Sequence, residues 1–182
     1  MGSRKSNAEQ NRVRILDAAR GSVARGDALT LNSVAHAAGV GVATVYRHFP
    51  SVEALEESLV GERFRELHAA MAQVEGAAGF AGLLERYYEL MVSDPLFAAV
   101  TSRPDPALDQ TTLLRDDLID GLGHLMRKQV DAGTLTPGLT SAELLALLCG
   151  LAYSARTLGV TAVSPPGRRL FEVIRAGIRP AD

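Results

Sequence analysis

Thr44, Tyr46, Arg47 and His48 fall within five consecutive residues of a 182-residue chain. Together they offer a hydroxyl, a phenol, a guanidinium and an imidazole, all able to donate hydrogen bonds. Such a cluster can grip a phosphate or read the acceptor-bearing edges of bases. Covalent chemistry needs other patterns, and the sequence holds no Gly-x-Ser-x-Gly, no His-Glu-x-x-His and no glycine-rich phosphate loop. A second constellation, Asp117, Asp120 and His124, includes one i,i+4 pair (Asp120 and His124) with metal-ligand spacing. No second cluster completes the ligands, so a solvated helix face with one favourable pair is the simpler reading. Neither an enzyme, a metal site nor a cofactor is expected. Cys149 is the one cysteine. It allows no intrachain disulfide or cysteine-rich zinc site, and a reducing cytoplasm is the expected setting.

The donors need an element to hold them. Val45 and Phe49 supply an apolar anchor for a short helix over about 43–49. Ahead of it, Thr30 is a good N-cap, and Val34, Ala35 and Ala38 give a preceding helix one apolar face. Gly39 supplies the residue that takes positive φ at the turn. Pro50-Ser51 stops the donor helix and starts another, with Ser51 as N-cap and Glu53 in its positive first turn. Two short helices joined by a glycine turn are what a protein needs to lay one of them in a major groove.

The rest of the chain also reads as helix, about nine helices in all, with no convincing strand. The first helix is expected over about 8–25, with Ile15, Leu16, Ala19 and Val23 inward. The fourth runs from Ser51 to about Glu75, burying Leu55, Leu59, Phe64, Leu67 and Met71, and Gly76–Gly79 is expected to break it. The fifth, about 80–92, repeats Phe80, Leu83, Leu84, Tyr87, Tyr88 and Met91 at helical spacing. Asp94-Pro95 caps a short sixth helix, and Arg103-Pro104-Asp105-Pro106 reads as a loop. The seventh carries Leu114, Leu118, Leu122, Leu125 and Met126 to a stop at Gly133. Thr140 and Glu143 form a capping box for an eighth helix that is apolar nearly all round, hence central or in a subunit interface. Ser164-Pro165 starts the ninth.

Composition supports a two-part division. Hydrophobic residues make up 47% of the chain, with no Trp, which suits packed helices rich in Ala and Leu. Nothing resembles a signal peptide, and the longest apolar run, 142–155, is too short to span a bilayer. The net charge of −2 is unevenly spread. Residues 1–50 carry seven Lys and Arg against three acids, a net of +4; residues 51–182 carry twelve against eighteen, a net of −6. A basic start on an acidic body is the electrostatic footprint of nucleic-acid binding at one end. The expected domains are 1–50 and 51–182.

The order RILDAARGSVARGD, TLNSVAHAAGV, GVATVYRHFPSVEAL and then a larger helical stretch resembles the TetR family of bacterial transcriptional regulators. The resemblance is specific over 14–59, where T-x-x-x-V-A-x-x-A-G-V and Y-R-H-F stand at fixed separation. Beyond Phe80 it lies in helix number and order. It implies an all-α fold: a three-helix DNA-binding domain with a helix-turn-helix, then a larger ligand-binding and dimerisation domain. It also implies a homodimer on a palindromic operator, released when a small-molecule effector shifts the fourth helix, as a repressor would be. The expected dimer contact is through the eighth and ninth helices, with no membrane association.

Carried over position by position, the resemblance gives Thr44 a base or phosphate contact and Tyr46 and His48 phosphate contacts. Arg47 can pair with guanine, pair with phosphate or stay solvated. Gly41 and Val42 stand at the tip of the reading helix, where the family often has polar base readers; their small surfaces suit a thymine methyl or close backbone approach. Thr30, at an end that can offer amides to phosphate, and Asn32 complete the DNA-binding candidates. Arg4 and Lys5 can form an arm that orders on DNA. The family usually has a phosphate-gripping Lys where this chain has Val52. Effector-pocket candidates are Tyr87, Tyr88, Met91, Phe97, His124, Tyr153 and Arg156, each with plain packing as its simpler role. The alternative to a regulator is a helical ligand-binding or interaction protein that has lost DNA binding.

Overall fold

The structure is a computed structural model that describes residues 2–180, with side chains described from Asn7 onward. The described residues form nine helices and no strand: α1 (Gly2–Ala24), α2 (Leu31–Ala38), α3 (Val42–His48), α4 (Val52–Met71), α5 (Gly76–Ser93), α6 (Pro95–Thr101), α7 (Asp109–Asp131), α8 (Ser141–Thr157) and α9 (Pro165–Gly177). The protein is all-α. Its contacts divide it into two compact units. One holds the chain up to Gly61 together with Asp105–Thr111, and the other holds Glu62–Pro104 and the chain from Thr112 onward.

In the first unit α2 packs against both α1 and α3. Its core gathers Ile15, Ala19, Val34, Val45, Phe49, Ala54 and Leu55, each at most 1% exposed. Val23, expected inward, is 38% exposed, and Ser22 is buried in its place, its hydroxyl bonded to the Ala18 carbonyl. The hydroxyl satisfies itself within its own helix, so its burial leaves no polar group unpaired. The carboxylate of Glu57, 2% exposed on α4, accepts the backbone N–H groups of Ala107 (2.7 Å) and Leu108 (2.9 Å). That bond explains why a segment 50 residues distant belongs to this unit.

In the second unit α5 is the central helix, packed on α6, α8 and α9. All six of its periodic residues, from Phe80 to Met91, are buried. The break before it falls earlier than the glycines suggested: α4 ends at Met71, and α5 already begins at Gly76. Gly76 has the left-handed φ of 60° that a reversal requires, and the Gly79 N–H bonds to the Glu75 carbonyl, so the next glycine is carried inside the helix. Tyr88 stacks on Phe171 of α9 with ring centroids 5.5 Å apart and donates to the Gly167 carbonyl oxygen at 3.2 Å. A Cβ at Gly167 would collide with the carbonyl oxygens of Thr161 and Ala162, so glycine is what lets α9 start there.

Candidate functional site: a nucleic-acid interface and a helical cavity

The helix-turn-helix is built by local hydrogen bonds. The Thr30 hydroxyl accepts the Ser33 N–H at 3.1 Å, and the Ser33 hydroxyl accepts the Thr30 N–H at 3.3 Å, a complete capping box for α2. Gly39 closes α2 at φ 62°. Arg14 of α1 donates one Nη to the carbonyl oxygens of Ala38 (2.6 Å) and Gly39 (3.2 Å). It thus places a cation at the negative end of α2 and ties α1 to the turn. At the far end of α3 the Arg12 guanidinium sits 4.9 Å from the centroid of the Phe49 ring. Ser51 caps α4 by accepting the Ala54 N–H at 3.1 Å.

These constraints set the face that α3 presents. Val45 and Phe49 are sealed in the core, while Val42 and Tyr46, one turn apart, are 42% and 51% exposed. Arg47 is exposed, and Thr44 and His48 are half-buried beside it. Arg47 folds along the helix, its Nε donating to the Ala43 carbonyl oxygen and one Nη to the Thr44 hydroxyl at 3.2 Å. Thr30, Asn32 and Gly41 are exposed at the ends of α2 and α3. All eight candidate DNA-contacting residues therefore lie in or beside the helix-turn-helix, six of them on α3 or its N-cap. Val52 is half-buried in the first turn of α4 and offers no donor from its side chain. Arg4 and Lys5 lie outside the described side chains.

The second unit holds a cavity of about 380 Å³. Its apolar wall includes Phe64 of α4, Leu118 and Ile119 of α7, and Leu145 of α8. Five polar residues interrupt that wall: Tyr87, Thr101, Ser102, Arg115 and Cys149. Tyr87 Oη and Cys149 Sγ are 3.5 Å apart. Burial pushes the Tyr87 phenol well above its ordinary range, with the Cys149 charge and hydrogen bond adding to it and the nearby Arg115 charge opposing it. Arg115 donates to the Arg103 carbonyl oxygen at 2.6 Å. The Thr101 hydroxyl is buried without a hydrogen-bond partner.

Of the seven effector-pocket candidates, Tyr87 lines this cavity. Met91 and Phe97 are packed core residues, at most 1% exposed, and Tyr88 is committed to α9. Arg156 donates to the Met91 carbonyl oxygen. His124 is exposed on α7, and Tyr153 is 65% exposed on α8. Thr101, Ser102, Arg115 and Cys149 line the cavity without having been candidates from the sequence. A signal for Arg115 existed: it stands three and four residues before Leu118 and Ile119, a cation on the apolar face of its own helix. Among the described residues no three His, Cys, Asp or Glu side chains gather as a metal site, and no helix is long and apolar enough to cross a membrane. The unit also exposes an apolar strip where α8 meets α9, with Leu147 47% and Val173 71% exposed beside Ile174 and Leu139.

Comparison with known proteins adds the family. Residues 15–59 match the family model for bacterial regulatory proteins, tetR family. No curated protein matches the chain by sequence. Among solved structures, the transcriptional regulator FadR from Bacillus subtilis, in complex with stearoyl-CoA, is similar at TM-score 0.65 and 16% identity, covering 92% of this chain and 100% of its own. RolR in complex with resorcinol is similar at TM-score 0.69 and 16% identity, covering 97% and 91%. A TetR transcriptional regulator from Streptomyces coelicolor is similar at TM-score 0.56 and 26% identity, covering 94% and 99%. Residues 15–59 thus carry the helix-turn-helix of the tetR family of bacterial regulatory proteins, and the chain shares the all-α fold of these structures over nearly its whole length.

Proposed function

We propose that this protein is a ligand-responsive repressor that binds a palindromic operator as a homodimer and is released by a small-molecule effector. The observation that carries the reading is the exposed donor face of α3. Thr44, Tyr46, Arg47 and His48 stand on a helix held by Val45, Phe49, Arg12 and Arg14, at the basic end of an otherwise acidic chain. Thr30, Asn32, Gly41 and Val42 flank that face. Phosphate contacts from Tyr46, His48 and Thr30 would set the register, and Thr44 and Arg47 would reach base edges. In this reading residues 1–50 bind DNA and residues 51–182 bind effector and form the dimer, acting in the cytoplasm.

The cavity supports the effector half of the reading, and so do the stearoyl-CoA and resorcinol held by two proteins of the same fold. Helix α4 is the covalent route between the units, running from Val52 beside α3 to Phe64 at the cavity wall and on to Met71. Two reading heads on one operator need a spacing of roughly 34–36 Å. A ligand that resets α4 by a few ångströms would lose phosphate contacts without refolding. By linkage, operator DNA must weaken effector binding by the factor that effector weakens DNA binding. The strip of Leu147, Val173 and Ile174 is the proposed dimer contact, since an exposed apolar patch of this kind marks an interaction surface.

The second reading, a helical ligand-binding protein that has lost DNA binding, draws on Val52 and on the apolar tip formed by Gly41 and Val42. Fluorescence anisotropy on duplex DNA separates the two. Tight, salt-dependent binding with a sequence preference supports the repressor, and no duplex binding at low salt overturns it.

A further inference from the structure

Among the described residues, Arg115 is the only charged one lining the cavity of the second unit. One of its N–H groups is used by the Arg103 carbonyl oxygen. Among the described residues it has no Asp or Glu within ion-pair distance, and no carboxylate lines the cavity. Arg115 is half-buried, and a guanidinium beside an apolar wall is best met by an anion. Its planar fork of donors fits a carboxylate through two parallel hydrogen bonds. The other polar groups of the wall can all donate as well, and the buried Thr101 hydroxyl has no partner at all. Thr101 and Arg115 both line the cavity. A cationic ligand would meet like charge here, and a neutral one would form no charge-assisted bond with the guanidinium.

We infer that this cavity takes a compact carboxylic acid with an apolar body, its carboxylate on the Arg115 guanidinium and its body against Phe64, Leu118 and Leu145. The volume of about 380 Å³ is near the lower end of the range of roughly 300–1,000 Å³ for small-molecule sites, which excludes bulky ligands. The inference rests on the proposal that this cavity is the effector site.

Isothermal titration calorimetry of the full chain without DNA tests it, using hexanoate, octanoate and phenylacetate against hexanamide, octanamide, phenylacetamide and hexylamine. At least one acid should bind, its amide roughly ten- to a hundredfold more weakly, and the amine not at all. Arg115→Gln should remove the preference for acid over amide, and Arg115→Lys should restore part of it. Binding of the amides as tightly as the acids, binding of none of the acids, or an acid preference that survives Arg115→Gln would each overturn the assignment. The wild-type comparison of acid with amide holds whether or not the variants fold. A separate arm adds operator duplex. An acid that binds but leaves DNA affinity unchanged contradicts the repressor reading while the carboxylate site stands; an amide that releases DNA does the reverse.

Discussion

The guanidinium of Arg47 donates to the hydroxyl of Thr44 across 3.2 Å on the exposed side of α3. Two of the groups proposed to meet DNA are therefore bound to each other, and engaging a base or phosphate would mean exchanging that bond or extending it. Coupled side chains of this kind respond non-additively to removal. Thr44→Ala and Arg47→Ala should each weaken operator binding about tenfold or more, at about 1–3 kcal/mol per base contact. The double variant should lose less than the sum. Tyr46→Ala should also impair binding, and because Tyr46 is 51% exposed its thermal unfolding should stay within about 0.5 kcal/mol of wild type. Anisotropy titrations with a matched thermal melt check all four, and operator affinity unchanged in both Thr44→Ala and Tyr46→Ala would show that α3 does not read DNA.

Val52 occupies the position where related regulators usually present a lysine to a phosphate. Val52→Lys should tighten operator binding and steepen the plot of log affinity against log salt by about 0.9, the value for one added phosphate contact on duplex DNA. An unchanged slope would place the first turn of α4 away from the backbone.

Glu57 holds the amides of Ala107 and Leu108 from a nearly fully buried position. Glu57→Ala removes two charge-assisted hydrogen bonds and strands both donors. Bonds to charged groups are worth about 1.5–3 kcal/mol, so a loss of roughly 3 kcal/mol or more is expected by urea unfolding. A loss below about 0.5 kcal/mol would mean that the segment is held by other contacts.

The backbone N–H and hydroxyl of Thr140 both donate to Glu143 and hold its carboxyl below its usual range. The folded state therefore binds that proton less readily than the unfolded chain does. The stabilisation is complete above the ordinary glutamate pKa and is lost as pH falls through the lowered folded value. Glu143→Gln keeps the cap's shape but does not titrate. The stability gap between wild type and variant should stay constant at neutral pH and shrink on acidification below the ordinary carboxylate range. A gap independent of pH would contradict this.

Leu147 and Val173 lie on the apolar strip between α8 and α9. Leu147→Glu and Val173→Glu should yield a folded monomer by light scattering, with operator affinity reduced because one reading head is lost. A dimer in both variants would move the interface elsewhere.

Much of this was legible in the sequence because the relevant signals are local. Thr30, Gly39, Ser51, Thr140 and Ser164 each act through residues three or four positions away, and the periodic apolar positions of α5 leave little choice of buried face. What escaped depends on distant partners. Nothing near Arg14 says that it caps α2, and nothing near Glu57 points to Ala107. Among the aromatic candidates with polar tips, Tyr88 stacks on α9 and Tyr153 faces outward, because type and spacing do not reveal which neighbour a face receives. Arg115 was overlooked for the opposite reason: a cation reads as surface until its helix is seen to turn it toward a cavity.

Selection of bound sequences from a random duplex library asks whether α3 reads duplex DNA as one half of a symmetric pair. A symmetric reader should enrich a palindrome whose half-sites are centred about one helical turn apart, roughly 34–36 Å, with affinity falling steeply as salt rises. Failure to enrich any sequence, with no duplex retained at low salt, would contradict that role for α3.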